Sequence, residues 1–373
     1  MTRSAWRMAT VALVLGAWGV SCKGGPPSFE RMAAPKVMVT LPDECNTPDG
    51  CTVMDGGDII LSCPNFNNGA LKKAGVFQKD YPARMVRIDR DNKLSTWYEF
   101  AKADLHPDTG TVGPMGCDIG PDGHLYVADN HVFENPNHKS RLLRIRVQNG
   151  RAAGCDVVVD GFIVSNAVTW RGDTVYVSET FLTPGEKGKP LISGVYAIKM
   201  DEWKNGPVKL QPWTPEKADP HLIAVYKTSN RVGFGADGLT FDDEGNLYCG
   251  IFEDGIVYRT RFSGGKALPP EEFARDSKMA CCDGIFWSSA DKVIFVADML
   301  NNAVQAVDLG GKVTTVWKNG DTDGADGSLD QPCEVAVRGR DLVVINMDMW
   351  WECQWLVNKK IDRPWNVSVL RLP

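Results

Sequence analysis

Apolar and polar residues alternate along most of this chain in short runs, and runs with helical spacing are scarce. A period of two predicts β-strands, because successive side chains of a strand point to opposite faces of its sheet. Segments rich in Asp, Asn and Gly separate the runs and favour tight turns. The pattern therefore predicts an all-β protein made of many short antiparallel strands.

One pair of strands recurs six times, at spacings of 46 to 71 residues. Each copy begins with small or acidic residues, often including Gly. A strand of alternating apolar residues, a polar turn and a second strand of the same kind follow. The copies begin at these positions: Asp49, Met115, Asn166, Asp237, Asp283 and Cys333. Third strands follow the copies, and fourth strands follow some of them. Six repeats of four antiparallel strands predict a six-bladed β-propeller.

The sixth repeat ends at Pro373, after its third strand. Residues 36–41, KVMVTL, have the alternation of the other fourth strands. When one terminus supplies the missing outer strand of the last blade, that blade is complete and the two ends of the propeller are joined. The sequence therefore predicts that this N-terminal strand closes the ring.

The first 35 residues have a different pattern. Arg3 and Arg7 precede 13 uncharged, mostly apolar residues at 8–20, a length that suits a signal peptide and is too short for a membrane span. We predict a signal peptide at 1–21, a flexible tether at 22–35 and a propeller at 36–373. Cys22 ends a partial lipobox, so the expected product is a periplasmic or cell-envelope lipoprotein; the alternative is an ordinary signal peptide and a secreted protein.

Cysteine usage agrees with export. Ten cysteines remain after Cys22, and an oxidising compartment favours disulfides. The sequence does not fix their connectivity, and the local candidate pairs are Cys45 with Cys51 and Cys333 with Cys353.

Charge excludes one class of function. Lys and Arg number 41 and Asp and Glu number 47, for a net charge of −6 with no basic stripe. A nucleic-acid-binding role is therefore not expected.

The residues that open each repeat predict a site. In a propeller the first strand of each blade lines the central channel, so these residues converge at one mouth of it. Four of the six carry oxygen: Asp49, Asn166, Asp237 and Asp283. Clustered carboxylates are costly unless a cation neutralises them, and hard oxygen ligands select Ca²⁺, Mg²⁺ or Mn²⁺. The alternative is that they are ordinary turn residues.

Two segments carry a family resemblance: GADGLTF with EGNL at 235–247, and DGIFW with FVAD and NAV at 283–304. With them the chain, over 36–373, resembles the senescence-marker-protein, gluconolactonase and luciferin-regenerating-enzyme family of six-bladed propellers, which is related to paraoxonase and diisopropyl fluorophosphatase. The resemblance implies one divalent cation held by a Glu, two Asn and an Asp. By blade order these places are Asp49, Asn166, Asp237 and Asp283, so one Asp replaces a Glu and another replaces an Asn. Ca²⁺ is the first choice of ion, with Mg²⁺, Mn²⁺ and Zn²⁺ as alternatives.

The resemblance also implies an activity. The family's metal polarises a lactone or phosphoester group and a carboxylate acts as base or nucleophile, a role that falls first to Asp283 and second to Asp237. The expected function is an exported, metal-dependent hydrolase of small lactones or esters. The rival hypothesis is a non-catalytic propeller that binds a ligand or a protein at the cell envelope.

Other side chains have two interpretations each. His131 follows a second strand and is either a proton shuttle above the channel or an exposed loop histidine. Trp350, Trp351 and Trp355 lie on a long loop of the sixth repeat and form either a wall of the binding site or packing against the blade. The long inserts at 181–192 and 202–220 are candidate rims of the channel.

Overall fold

The computed structural model describes residues 29, 32–135, 137–183, 185–186 and 188–373. Six four-stranded antiparallel units follow one another through this part of the chain. Helix is confined there to Asn68–Lys73 and to two 3₁₀ turns, Asp43–Cys45 and Met299–Asn301. The predicted all-β, six-bladed β-propeller is confirmed.

In blades one to five the four antiparallel strands run from the channel outward in chain order, whereas the outermost strand of blade six comes from the N-terminal end of the propeller. Blade one comprises Cys51–Val53, Ile59–Cys63, Arg84–Ile88 and Leu94–Glu99. Blade two comprises Pro114–Ile119, Leu125–Asp129, Ser140–Gln148 and Arg151–Phe162. Blade three comprises Ser165–Arg171, Thr174–Glu179, Ile192–Lys199 and Leu222–Lys227. Blade four comprises Ala236–Phe241, Leu247–Ile251, Ile256–Thr260 and Glu271–Arg275. Blade five comprises Ile285–Ser288, Val293–Asp298, Ala303–Asp308 and Val313–Lys318. Blade six comprises Pro332–Arg338, Asp341–Asn346, Asn366–Arg371 and Lys36–Thr40.

The sixth blade joins the two ends of the propeller. Lys36–Thr40 pairs antiparallel with Asn366–Arg371, with Lys36 opposite Val369 and Thr40 opposite Asn366. The Leu41 backbone N–H then donates to the Trp365 carbonyl at 2.8 Å. Closure by the N-terminal strand is therefore confirmed.

Aromatic side chains fill the space between blades. Tyr126 of blade two contacts Trp170 of blade three edge-on, with ring centroids 4.7 Å apart. Tyr176 of blade three meets Phe241 of blade four in the same way at 4.9 Å. Such pairs add directional contact to the apolar area they bury, and these two join blade three to the blades on either side of it.

A buried acid or amide at or just after the end of each second strand anchors the segment that enters the channel. Each accepts a backbone N–H from the chain just before the first strand of its own blade. An unpaired buried N–H is costly, so these bonds fix the entering segments. The six anchors are Asn65, Asp129, Glu179, Glu253, Asp298 and Asn346.

The N-terminal segments lie mostly outside the described residues, including the predicted signal peptide and Cys22. Phe29, inside the predicted tether, is buried and contacts Phe295 edge-on at 5.6 Å. This part of the tether therefore packs against blade five. In the described ranges, no helix is both long and apolar enough to cross a membrane.

All ten described cysteines are free, so the two predicted disulfides are not formed. Cys51 lies on the innermost strand opposite Leu61, whereas the Cys45 thiol lies in hydrogen-bond contact with Cys63. The Cys333 thiol contacts the Ile345 carbonyl at 3.5 Å. Proximity along the chain pointed to the wrong neighbours, because strand direction decides which thiols face each other.

Candidate functional site

The starts of the inner strands crowd together around the channel. A Cβ on Gly238 would lie 2.4 Å from the Asp283 carbonyl, and one on Gly284 would lie 2.7 Å from the Cys333 carbonyl. The Gly284 N–H donates to that carbonyl at 2.8 Å. Neither glycine has a positive φ, so close approach between blades, rather than a turn, requires glycine after Asp237 and after Asp283.

The structure brings all four sequence-predicted site residues into one cavity at the channel mouth: Asp49, Asn166, Asp237 and Asp283. Asn166 and Asp237 lie inside first strands rather than in turns. Of the two other repeat-opening residues, Met115 lines the cavity and Cys333 is buried outside its lining.

Two carboxyl groups and one amide form the floor of this cavity. The Asn166 amide donates through Nδ2 to Asp237 Oδ2 at 2.8 Å. The Asp237 and Asp283 carboxyl groups are in hydrogen-bond contact with each other. Two carboxyl groups can share a hydrogen bond only if one carries a proton. The floor therefore holds a proton, or a cation in its place.

Burial and mutual repulsion govern the ionisation of these acids. Burial raises the pKa of Asp237 well above its usual range, and the charge on Asp49 raises it further. Burial likewise raises the pKa of Asp283, with added repulsion from Asp237 and Asp49. Burial raises the pKa of Asp49 itself to about 7. Three acids that resist ionisation together form a strongly electronegative site once ionised.

The floor residues supply three oxygen ligands for a divalent cation only if the Asn166 amide oxygen is one of them. In the described part of the chain, no three His, Cys, Asp or Glu side chains form a group that could hold an ion. Asp237, Asp283 and the side-chain oxygen of Asn166 supply three oxygen donors, and Asp49 lies in the same cavity without a hydrogen bond to them. Oxygen donors of this kind suit Ca²⁺ or Mg²⁺.

Apolar side chains form the walls above this polar floor. They come from blades one to six: Phe66, Met115, Val132, Phe133, Val164, Phe234, Phe252, Met299, Met347, Met349 and Trp351. Asn130 is the remaining polar side chain of the lining, and among the residues that the structure describes no Lys, Arg or His contributes to it. The cavity therefore suits an uncharged, largely apolar ligand with a polar group directed at the floor.

His131 has neither of its two predicted roles. Its side chain is fully buried, and Nε2 lies 3.1 Å from Asp129 Oδ2, which also accepts from Arg141 Nε at 2.7 Å. Its neighbours Asn130 and Val132, but not His131, line the cavity. The histidine belongs to the anchor of blade two, because its polar ring is paired with a buried carboxylate beneath the loop.

The predicted rims also differ from the structure. Of the three tryptophans, Trp351 lines the cavity, whereas Trp350 and Trp355 are exposed. The insert at 202–220 contributes Val208–Lys209 to the outer edge of blade two, far from the channel axis in strand order. The described part of the insert at 181–192 contributes nothing to the cavity lining.

Sequence reasoning missed Glu334, which follows Cys333 at the start of the sixth blade. Glu334 and Asp118 line the channel beneath the floor. Burial raises the pKa of Glu334 above its usual range, and the charges on Asp49 and Asp237 raise it further. The signal was an acid in place of the glycine or alanine that follows the other repeat-opening residues.

Comparison with known proteins gives the fold a wider context. No family model and no curated protein matches the chain. A gluconolactonase from Xanthomonas campestris matches at 12% identity and TM-score 0.52, over 95% of this chain and 99% of that one. Luciferin-regenerating enzyme matches at 11% identity and TM-score 0.57, over 91% of this chain and 95% of that one. A PQQ-bound aldose sugar dehydrogenase from Streptomyces coelicolor matches at 13% identity and TM-score 0.56, over 93% of this chain and 100% of that one.

These neighbours include the gluconolactonase and luciferin-regenerating propellers that the sequence resembles. At such identities the likeness shows a shared fold. Activity has to be argued from the site, because one fold carries several chemistries.

The buried acids predict how stability depends on pH. The pKa is raised to about 7 at Asp49 and to about 8 at Glu179, in both cases by burial. Between the ordinary values near 4 and these values, the folded state binds more protons than the unfolded state, so the free energy of unfolding falls as pH rises. The loss is on the order of 4 kcal/mol for each group.

Urea denaturation in chelator at pH 5 and pH 8 measures this effect, and the protein should be more stable at pH 5. Glu179→Gln should reduce the difference, since it removes a titrating anchor outside the floor. Equal stability at both pH values in the wild-type protein would show that these acids are ionised when folded.

Proposed function

We propose that this protein is a divalent-metal-dependent hydrolase of the lactonase or esterase kind. The observation that carries the proposal is the contact between the Asp237 and Asp283 carboxyl groups, with Asn166 bonded to Asp237, at the floor of an apolar cavity. An oxygen-rich floor beneath an apolar wall suits a ligand with one polar reacting group. Six-bladed propellers that include a gluconolactonase share the fold.

The floor residues would divide the work. Asp237, Asn166 and Asp283 would hold the ion, with Asp49 as a weaker fourth ligand. A bound cation supplies positive charge that polarises a carbonyl oxygen and stabilises the oxyanion that develops on it. Asp283 lies partly exposed in the cavity, so its carboxylate can take a proton from an attacking water or attack directly.

The walls favour apolar lactones or esters over sugar lactones. Four methionines and five aromatic residues face the ligand, whereas a polyhydroxylated ring needs many hydrogen-bond partners. In the described part of the chain, Asn130 is the one polar wall residue. We therefore expect an alkyl- or aryl-substituted lactone to bind better than an aldonolactone.

A quinone-dependent dehydrogenase is less well supported. PQQ carries three carboxylates, and an anionic cofactor needs basic side chains around it. The cavity lining formed by the described residues is itself acidic and contains no Lys, Arg or His. Bringing a polyanion against three buried acids would be strongly unfavourable.

The deciding experiment is a panel of alkyl, aryl and sugar lactones with matching esters, assayed with Ca²⁺ and with a chelator. We expect turnover of apolar lactones that disappears with chelator and returns with metal. Ion binding without turnover of any lactone or ester would contradict the hydrolase and support the rival, a non-catalytic propeller that binds a ligand or protein.

We propose that the protein is exported and attached to the cell envelope through a lipidated Cys22. Acyl chains supply the attachment in that case, so Cys22→Ala should move the protein from the membrane fraction to the soluble fraction. Fractionation with immunoblotting measures the shift. An unchanged partition would contradict lipidation, and retention of the protein in the cytoplasm would contradict export.

A further inference from the structure

A second cluster of buried oxygens lies in the loops of the sixth blade, apart from the channel floor. Asp330, Asp348 and Asn358 are each at most 2% exposed. The Asn358 amide donates through Nδ2 to Asp330 Oδ1 at 2.6 Å and to the Thr322 carbonyl at 3.1 Å. These contacts connect the loop at 319–331 with the loop at 347–362.

Two oxygens of this cluster are buried without any hydrogen-bond partner: Asp348 Oδ1 and Asn358 Oδ1. Asp348 Oδ2 accepts the Asp362 backbone N–H at 3.0 Å, so only its other oxygen is unpaired. A buried oxygen without a donor costs about 1–3 kcal/mol, and more when it is charged. Two such atoms in one cluster indicate a missing partner, either a hydrogen-bond donor or a cation.

The charges around the cluster point the same way. Burial raises the pKa of Asp348 to about 9, with added repulsion from Asp330 and Asp362. Burial raises the pKa of Asp330 to about 8, with added repulsion from Asp362, Asp323 and Asp321. In the described ranges, Lys360 lies 3.9 Å from Asp321 and Arg363 lies 3.4 Å from Asp43, and no basic side chain forms an ion pair with Asp330 or Asp348.

We propose that Asp330, Asp348 and Asn358 form a second divalent-cation site, selective for Ca²⁺, that ties the loop at 347–362 to the loop at 319–331. Two carboxylates and an amide provide three oxygen donors, and flexible oxygen-rich loops suit Ca²⁺ better than the strict octahedron of Mg²⁺. The amide oxygen is needed, because the carboxylates of the described residues form no sufficient group by themselves.

This site would control the shape of the substrate cavity. Asp348 lies between Met347 and Met349, and both methionines, together with Trp351, line the cavity wall. The Asp348 carbonyl also accepts from Asn67 Nδ2 at 2.8 Å, which ties the wall to blade one. An ion at Asp348 would hold the wall in place without touching the substrate.

The test counts bound Ca²⁺ in the chelator-treated, full-length protein by calorimetry and metal analysis, using Ca²⁺ alone as the probe. We expect two ions in the wild-type protein and one in Asp348→Asn, with affinity at this site lowered about tenfold or more by loss of a charged ligand. Asp326→Asn is the matched control, since Asp326 is an exposed acid of the loop at 319–331, which also carries Asp330, and it accepts the Ser328 backbone N–H.

Stability distinguishes a binding role from a packing role. In chelator, Asp348→Asn should melt no lower than the wild-type protein, because it removes a buried acid and keeps the shape. On addition of Ca²⁺, the melting temperature of Asp348→Asn should rise less than that of the wild-type protein. Proteolysis of the loop at 347–362 should remain as fast in this variant as it is in chelator. A variant that loses stability equally with and without Ca²⁺ would overturn the proposal.

The outcome is separable from that for the channel floor. Asp237→Asn should remove the other ion and leave this one in place. If Asp348→Asn binds as many ions as the wild-type protein, the second site does not exist. If the wild-type protein binds one ion that Asp348→Asn loses and Asp237→Asn keeps, the second site stands and the metal-dependent hydrolase fails.

Discussion

Asp283→Asn will abolish lactone turnover even at saturating metal. An amide has nearly the same shape as a carboxylate, but it can neither accept a proton from water nor attack a carbonyl. Loss of a general base lowers the rate by about 10²- to 10⁴-fold. The change also removes one negative ligand, so metal affinity should fall as well. Single-turnover assays at several Ca²⁺ concentrations separate the two effects.

Asp237→Asn gives the comparison that assigns the roles. It should weaken Ca²⁺ binding by removing the carboxylate that Asn166 and Asp283 contact. At saturating Ca²⁺ it should keep more activity than Asp283→Asn. The matched control is Asp173→Asn, an exposed acid in the turn between the first two strands of blade three. Wild-type turnover and affinity in both floor variants would refute the site.

The propeller could be predicted because the sequence pattern that specifies it is local and recurs along the chain. Alternating residues with Asp- and Gly-rich turns recur six times, and each recurrence checks the others. The closing strand at 36–41 follows from the same pattern, since the sixth repeat ends one strand short. Glu271–Arg275, the outer strand of blade four, was missed because three of its five residues are charged and no alternation is visible.

The convergence of the four site residues was predictable from their shared place at the start of a blade. The geometry around them was not. The six anchors, such as Glu179 and Glu253, hold the entering segments through backbone N–H groups, and backbone partners leave no side-chain pattern in the sequence. His131 was misread for a related reason, because its burial depends on Asp129 and Arg141 folding over it.

The cavity walls show a further limit of the pattern. Met299, Met347 and Met349 follow second strands and read as ordinary apolar residues. They line the cavity because the loops after these strands turn back over the channel mouth. Loop paths depend on tertiary contacts such as Asn67 with the Asp348 carbonyl, which lie 281 positions apart.

Deletion of residues 36–41 will destabilise the whole propeller. The strand Lys36–Thr40 is the outer strand of blade six, and its loss exposes the edge of Asn366–Arg371. Met38 and Leu41 are buried, at 7% and 3% exposure. Losing a buried Met or Leu costs about 2–5 kcal/mol, so the sum approaches the total stability of an ordinary domain, about 5–15 kcal/mol.

Thermal denaturation measures this effect, and the deletion should remove the cooperative transition or lower its midpoint by more than about 10 °C. Gly327 packs directly on the Lys36 and Val37 backbone, so the loop between blades five and six should also become sensitive to protease. Deletion of residues 23–28, equal in length, is the control because it leaves the strand intact. Equal melting temperatures for the parent and the 36–41 deletion would mean that blade six is stable with three strands and that the N-terminal strand does not hold the ring closed.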